Sequence, residues 1–238
     1  RDKTTWHGFE YGVDVGVGWL SDGASIPADC IRILGFPDLL VEQPESLFDQ
    51  HGQLQTRIDG NPIELLKYGN TTRKSIVRSG SIIINYLLRK LTRAYSSIGV
   101  VAAHQVHPKV ISIQTRRETV LLPRQILIVA DGHDFSNHGD SGAMVFRKRT
   151  LVLPEDGESL SLATPVGLLH GGFETDQHYR CGMACDLLAS LSFAASVAGE
   201  SIAMMDQASA LSCYDRGPVV VEPQSITTLE CRGAIPPQ

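Results

Sequence analysis

The sequence predicts an all-β fold, and three observations carry that expectation. Segments rich in isoleucine, valine and leucine recur at residues 75–88, 98–113, 119–130, 143–149 and 163–170. Turns holding Pro, Gly, Asp or Asn separate them, as strands require. No helical periodicity lies between them, which argues against βαβ units and leaves a barrel or a sandwich.

Before these strands, YGVDVGVGWL at residues 11–20 alternates small and apolar residues in a strand-like way. Residues 21–62 are dense in Gly, Pro and Asp, with short apolar pieces such as 31–34. They are read as the end of one subdomain and the connection to the next. The helical signal comes late: Met183, Leu187, Leu188 and Leu191 recur at helical spacing, and the helix is expected to run on through Met204. Past Tyr214 the chain carries Pro218, Pro223, Pro236 and Pro237 and is expected to be extended or loosely ordered. The resulting division is residues 1–55, 56–213 and 214–238, with no internal repeat.

Bulk properties narrow the function classes. A chain of 238 residues is long enough for one large or two small cores. The net charge of −5 argues against nucleic acid as a partner. Arg116-Arg117 and Arg147-Lys148-Arg149 are too short for a phosphate-tracking stripe and read as solvated turns. Cysteines at 30, 181, 185, 213 and 231 are odd in number and form no CxxC pair, so no zinc site is expected. Free thiols in a reducing compartment fit at least as well as a disulfide framework. The longest apolar stretch, residues 187–199, is shorter than the ~20 residues a bilayer needs, so no membrane association is expected. The chain opens on Arg1 with no visible signal peptide, the expectation being a stretch that begins inside a longer protein. An intracellular location is slightly preferred. No cofactor is implied; Gly69-Asn-Thr-Thr-Arg-Lys-Ser75 is a poor P-loop, lacking the second glycine and entering a strand.

The chemically informative segment is Phe135-Ser-Asn-His-Gly-Asp-Ser-Gly-Ala-Met-Val-Phe146, in which Gly139-Asp140-Ser141-Gly142 lies between two predicted strands. A nucleophilic serine needs its hydroxyl exposed on a tight turn, with backbone N–H groups converging on the carbonyl oxygen it attacks. A glycine two residues earlier leaves its own N–H unobstructed. The tetrapeptide alone would serve equally well as a hairpin turn. Downstream, Pro165-Val-Gly-Leu-Leu-His-Gly-Gly172 is an apolar strand ending in two glycines, where an extended substrate could lie alongside.

The order of these motifs, with a terminal helix after them, resembles the second barrel of the trypsin-like (chymotrypsin-fold) serine peptidases. It is particularly similar to the fungal and bacterial branch that lacks the vertebrate disulfides. Lys67-Tyr-Gly-Asn-Thr-Thr72 is similar to the KxGxxT opening strand of that barrel, although Arg73 stands where a glycine usually follows. The resemblance covers residues 63–200. It implies a chymotrypsin-like double β-barrel: residues 1–55 a truncated first barrel and connection, residues 56–213 a complete second barrel with its helix. Ser141 would be the nucleophile of an endopeptidase, with Gly139 and Ser141 N–H groups as the oxyanion hole and Asp140 buried beneath it. Phe135 would fall at the pocket floor, disfavouring an Arg or Lys preference. His170, Gly171 and Gly172 would border the polypeptide substrate. Asp14, an acid before small and apolar residues, resembles the family's triad aspartate.

No histidine completes the triad on this reading. His7 stands too close to Asp14, and His51 follows it, the wrong order for the fold. His104 and His107 fall on opposite faces of a strand, against a shared metal. His133 and His138 flank the serine loop, and His178 reads as a turn residue. His170 either shapes the pocket or is a hydrogen-bonded structural histidine. The catalytic histidine is therefore expected upstream of Arg1, the chain as it stands being inactive. The alternative is an inactive peptidase-like module that binds an extended peptide beside Gly171 and Gly172.

Overall fold

The computed structural model describes residues 2–16, 36, 38–78, 99–103, 109–113, 116–120, 123–129, 134–174, 180–211 and 213–224. At the start, β1 (Asp2–Trp6) and β2 (Phe9–Val13) form an antiparallel hairpin. His7 and Gly8 turn it, both with positive φ (46° and 82°), the mirror-image turn whose twist suits a two-residue hairpin. The alternating run expected from residue 11 thus begins two residues earlier, and residues 17–20 lie outside the described residues.

Next come β3 (Leu40–Val41), the small hairpin of β4 (Arg57–Ile58) and β5 (Asn61–Pro62), then β6 (Glu64–Gly69) and β7 (Arg73–Arg78). After them stand β8 (Gly99–Ala103), β9 (Lys109–Ile113), β10 (Arg116–Val120), β11 (Gln125–Val129), β12 (Met144–Val152), β13 (Ser159–Glu174) and β14 (Arg180–Asp186). An eight-stranded sheet runs in the order β7-β6-β12-β13-β14-β11-β8, with β3 parallel to β13 and every other pairing antiparallel. Among the described residues no pairing closes this sheet into a barrel. The described residues are mostly β-sheet with one α-helix near the C-terminal end, compatible with the expected all-β fold carrying a late helix.

Period-two alternation explains how this sheet fills both its sides. On β6, Leu65 joins one apolar cluster and Leu66 another; on β12, Val145 and Phe146 divide the same way. The larger cluster gathers Tyr11 from β2, Leu47, Ile126, Phe135, Val166 and Leu169, so the N-terminal hairpin shares a core with the sheet. Each fully buried Leu or Ile contributes about 1.5–3 kcal/mol relative to exposure.

Helix α1 (Leu187–Ala198) is shorter than the sequence pattern suggests. Met183 belongs to β14, paired with Leu127 and Gly171. Asp186 starts the helix by accepting from the Ala189 amide (2.9 Å), and Gly199 stops it in the left-handed conformation (φ 72°). The helix therefore does not reach Met204; Ile202–Ala203 (β15) instead pairs with Val220–Val221 (β16).

The reading of the basic residues is corrected. Arg147 and Arg149 are not solvated turn residues: both lie on β12, and Arg147 is buried. Arg147 pairs with Glu45, and Arg149 Nε stands 3.4 Å from buried Glu42. Arg116 and Arg117 likewise lie on a strand, β10. The stretch after Tyr214 is tied down as far as Gln224. Tyr214 accepts from the Gln43 amide (3.1 Å), Arg216 reaches Glu45 (3.0 Å), and the Val219 amide donates to Gln43 (3.0 Å). Residues 225–238 lie outside the described residues.

Candidate functional site

Residues 134–143 connect to β12 as a loop folded around one carboxylate. Asp140 is buried and points inward, while Ser141 on the same turn is exposed. The Asp140 carboxylate accepts from the amides of Thr71 (2.7 Å), Thr72 (3.2 Å) and Asn137 (2.9 Å) and from the Thr72 hydroxyl (2.7 Å). Lys67 Nζ lies 3.3 Å away, completely buried, and also donates to the Thr72 hydroxyl. Burial pushes the Asp140 carboxyl up, but the Thr72 hydroxyl, the Thr71 and Asn137 amides and the Lys67 charge outweigh it, bringing its pKa down to about 2. Burial lowers the Lys67 ammonium against the pull of Asp140.

The β6–β7 turn is thus the floor of the serine loop, which is what Lys67-Tyr-Gly-Asn-Thr-Thr72 does in three dimensions. Gly69 is demanded by close approach, since a Cβ there would overlap the Asp140 carboxylate. Gly139 takes φ 94°, and a Cβ on it would sit 2.8 Å from the Thr71 hydroxyl, which itself donates to the His138 carbonyl (2.6 Å). The far side of the loop is stitched to β13: the Gly142 amide donates to Leu169 (2.7 Å) and the Leu169 amide to Ala143 (2.9 Å). Among the described residues no acceptor takes the Gly139 or Ser141 amide.

Ser141 Oγ donates at 3.5 Å to the His170 carbonyl on β13. The His170 ring turns the other way, into the interior, where Nε2 lies 2.5 Å from Gln125 Oε1 and Nδ1 lies 4.0 Å from Asp14 Oδ2. Ser141, His170 and Asp14, far apart in sequence, therefore meet in one chain of contacts. Here β13 is irregular between Leu169 and Gly171, and its pairing with β12 begins only at Leu168. Gly171 and Gly172 pair with Met183 and Gly182 of β14. Gly172 is constrained from that side: a Cβ would overlap the Cys181 carbonyl and come within 2.8 Å of Ser136 Oγ.

Phe135 lies fully buried in the larger core cluster, its ring packed on Gly182 and its centre 5.3 Å from Lys67 Nζ. His7, His51 and His138 are exposed, and none of the described histidine rings is hydrogen-bonded to Ser141. His104, His107, His133 and His178 lie outside the described residues. Cys181, Cys185 and Cys213 form no disulfide, while Cys30 and Cys231 lie outside the described residues. Burial, helped by Asp134, pushes the Cys181 thiol up to about 11, leaving it a poor nucleophile. Among the described residues no cluster of three His, Cys, Asp or Glu could hold a metal, and no helix is long and apolar enough to cross a membrane.

The chain matches no family model, no curated protein and no solved structure. Sequence reasoning missed the side chains that serve Asp140, and it missed Gln125. A lysine inside the apolar strand Glu64–Gly69 was the available signal for the first, because a buried ammonium requires a counter-charge.

Proposed function

We propose that this chain carries the nucleophile half of a trypsin-like serine endopeptidase of chymotrypsin-like double-barrel fold. The supporting observation is the serine loop: an exposed Ser141 hydroxyl on a turn pinned from beneath by Asp140, with the Gly139 and Ser141 amides still able to donate to an oxyanion. Ser141 Oγ would attack the peptide carbonyl, forming a tetrahedral oxyanion held by those two amides. Collapse expels the amine and leaves an acyl group on Ser141, which water then removes. Each donor of such a pair is worth about 3–4 kcal/mol of barrier. Asp14 would take the place of the orienting acid, as the resemblance of its sequence context implies. The base that takes the Ser141 proton would be the histidine that the resemblance places before Asp14.

The polypeptide would lie along β13 past Leu168, where the register with β12 ends. This same edge supports the second reading, a non-catalytic module that adds an extended peptide to the sheet beside Gly171 and Gly172.

A fluorophosphonate probe separates the two. Stoichiometric labelling of the chain joined to its preceding sequence, abolished by Ser141→Ala, supports the peptidase. A folded protein that never labels but binds extended peptides supports the module. Because Ser141 is exposed, Ser141→Ala should shift stability by no more than about 0.5 kcal/mol, measured by urea unfolding.

A further inference from the structure

Gln125 joins three elements at the candidate site. It is fully buried on β11, and its side-chain nitrogen donates to the Gly12 carbonyl of β2 (2.9 Å) and to the Pro123 carbonyl (3.1 Å). Both partners are carbonyl oxygens, which only accept, so the amide orientation is chemically determined. Oε1 must then be the atom facing His170 Nε2 at 2.5 Å. An amide oxygen cannot donate, so Nε2 carries a proton. The other ring nitrogen, Nδ1, is left facing Asp14, whose Oδ2 is 4.0 Å away.

The geometry points to Gln125 as a positioning residue: it dictates the His170 tautomer and, with the same amide, anchors the end of β2 from which Asp14 projects. Gly12 and Asp14 are two residues apart, so the anchor and the acid move together. The Gly12 amide donates to the Pro123 carbonyl (2.9 Å), fastening the same junction from the backbone. Truncating Gln125 removes both constraints at once, freeing the ring to exchange tautomers and loosening Asp14. The catalytic consequence rests on the peptidase reading; the tautomer assignment does not.

The test is long-range proton–nitrogen NMR of the nitrogen-15-labelled chain, with His170 signals identified by their loss in His170→Gln. A proton on Nε2 is expected in the wild-type protein, with mixed tautomers in Gln125→Leu. A bare Nε2 with the proton on Nδ1 overturns the assignment, and this wild-type measurement decides even where Gln125→Leu does not fold. In a form that labels at Ser141, Gln125→Leu should slow fluorophosphonate labelling roughly tenfold by displacing Asp14. An unchanged rate overturns the catalytic consequence. A protein with the proton on Nε2 that never labels keeps the tautomer assignment and rejects the peptidase reading instead.

Discussion

Two aspartates, one under the serine loop and one at the start of α1, meet the same burial and answer it in opposite ways. Asp140 and Asp186 are both almost inaccessible, and each organises a chain reversal by accepting backbone amides. Asp140 also has the Lys67 ammonium and the Thr72 hydroxyl, and its pKa falls to about 2. Asp186 has the Ser46 hydroxyl at 2.6 Å and the first amides of the helix. Burial wins there, with those donors opposing it, and its pKa rises to about 6. At Asp140 the Thr72 hydroxyl and the Thr71 and Asn137 amides do most to offset the loss of water, and the Lys67 ammonium adds to them; at Asp186 the Ser46 hydroxyl and the helix amides do not suffice. The serine loop is built around a permanent charge, and the helix start around one that titrates near neutrality.

The largest test of that contrast is Lys67→Met. It leaves Asp140 charged and buried without its cation, and should cost about 3–5 kcal/mol in urea unfolding. A loss below about 1 kcal/mol would mean that the hydroxyl and amides suffice, and the two sites would cease to differ in kind.

The second test is the pH dependence of stability. Asp186 binds its proton more tightly folded than unfolded, so its contribution is complete below pH 3.8 and is lost as pH rises through about 6. The change is about 2–3 kcal/mol, and Asp186→Asn should flatten the slope between pH 4 and 7 while keeping a competent cap. Asp140 runs the other way. Its contribution is present above pH 3.8 and is lost as pH falls through about 2. Thermal unfolding across pH 2–8 reads both, and a slope unaltered by Asp186→Asn would remove that group from the account.

The smallest test sharpens the helix side without any charge. Gly199→Ala forces a side chain into a left-handed C-cap at φ 72° and should cost about 1 kcal/mol in the same unfolding assay, with no change in the pH slope.

The strands were legible because their signal is local: alternation on β6 and β12 and the punctuating turns are properties of a few neighbouring residues. The helix start was misplaced because Met183 is buried on β14, and its spacing to Leu187 imitates one helical turn. Asp186 was the better marker, an acid capping the apolar run that follows it. Arg147 and Arg149 were misread for a different reason. A basic triplet resembles a solvated turn until Glu42 and Glu45, from a distant segment, are brought beside it.

Of the candidate site, the sequence alone determined the turn at Gly139-Asp140-Ser141-Gly142, since glycine at positive φ and a small polar serine are choices of residue type. Folding decided what surrounds it. The Lys67–Asp140 pair closes a separation of 73 residues, and the contact of His170 with Asp14 spans most of the chain. No local pattern encodes such pairs, because they exist only where β6, β13 and the N-terminal hairpin have packed and water has been excluded.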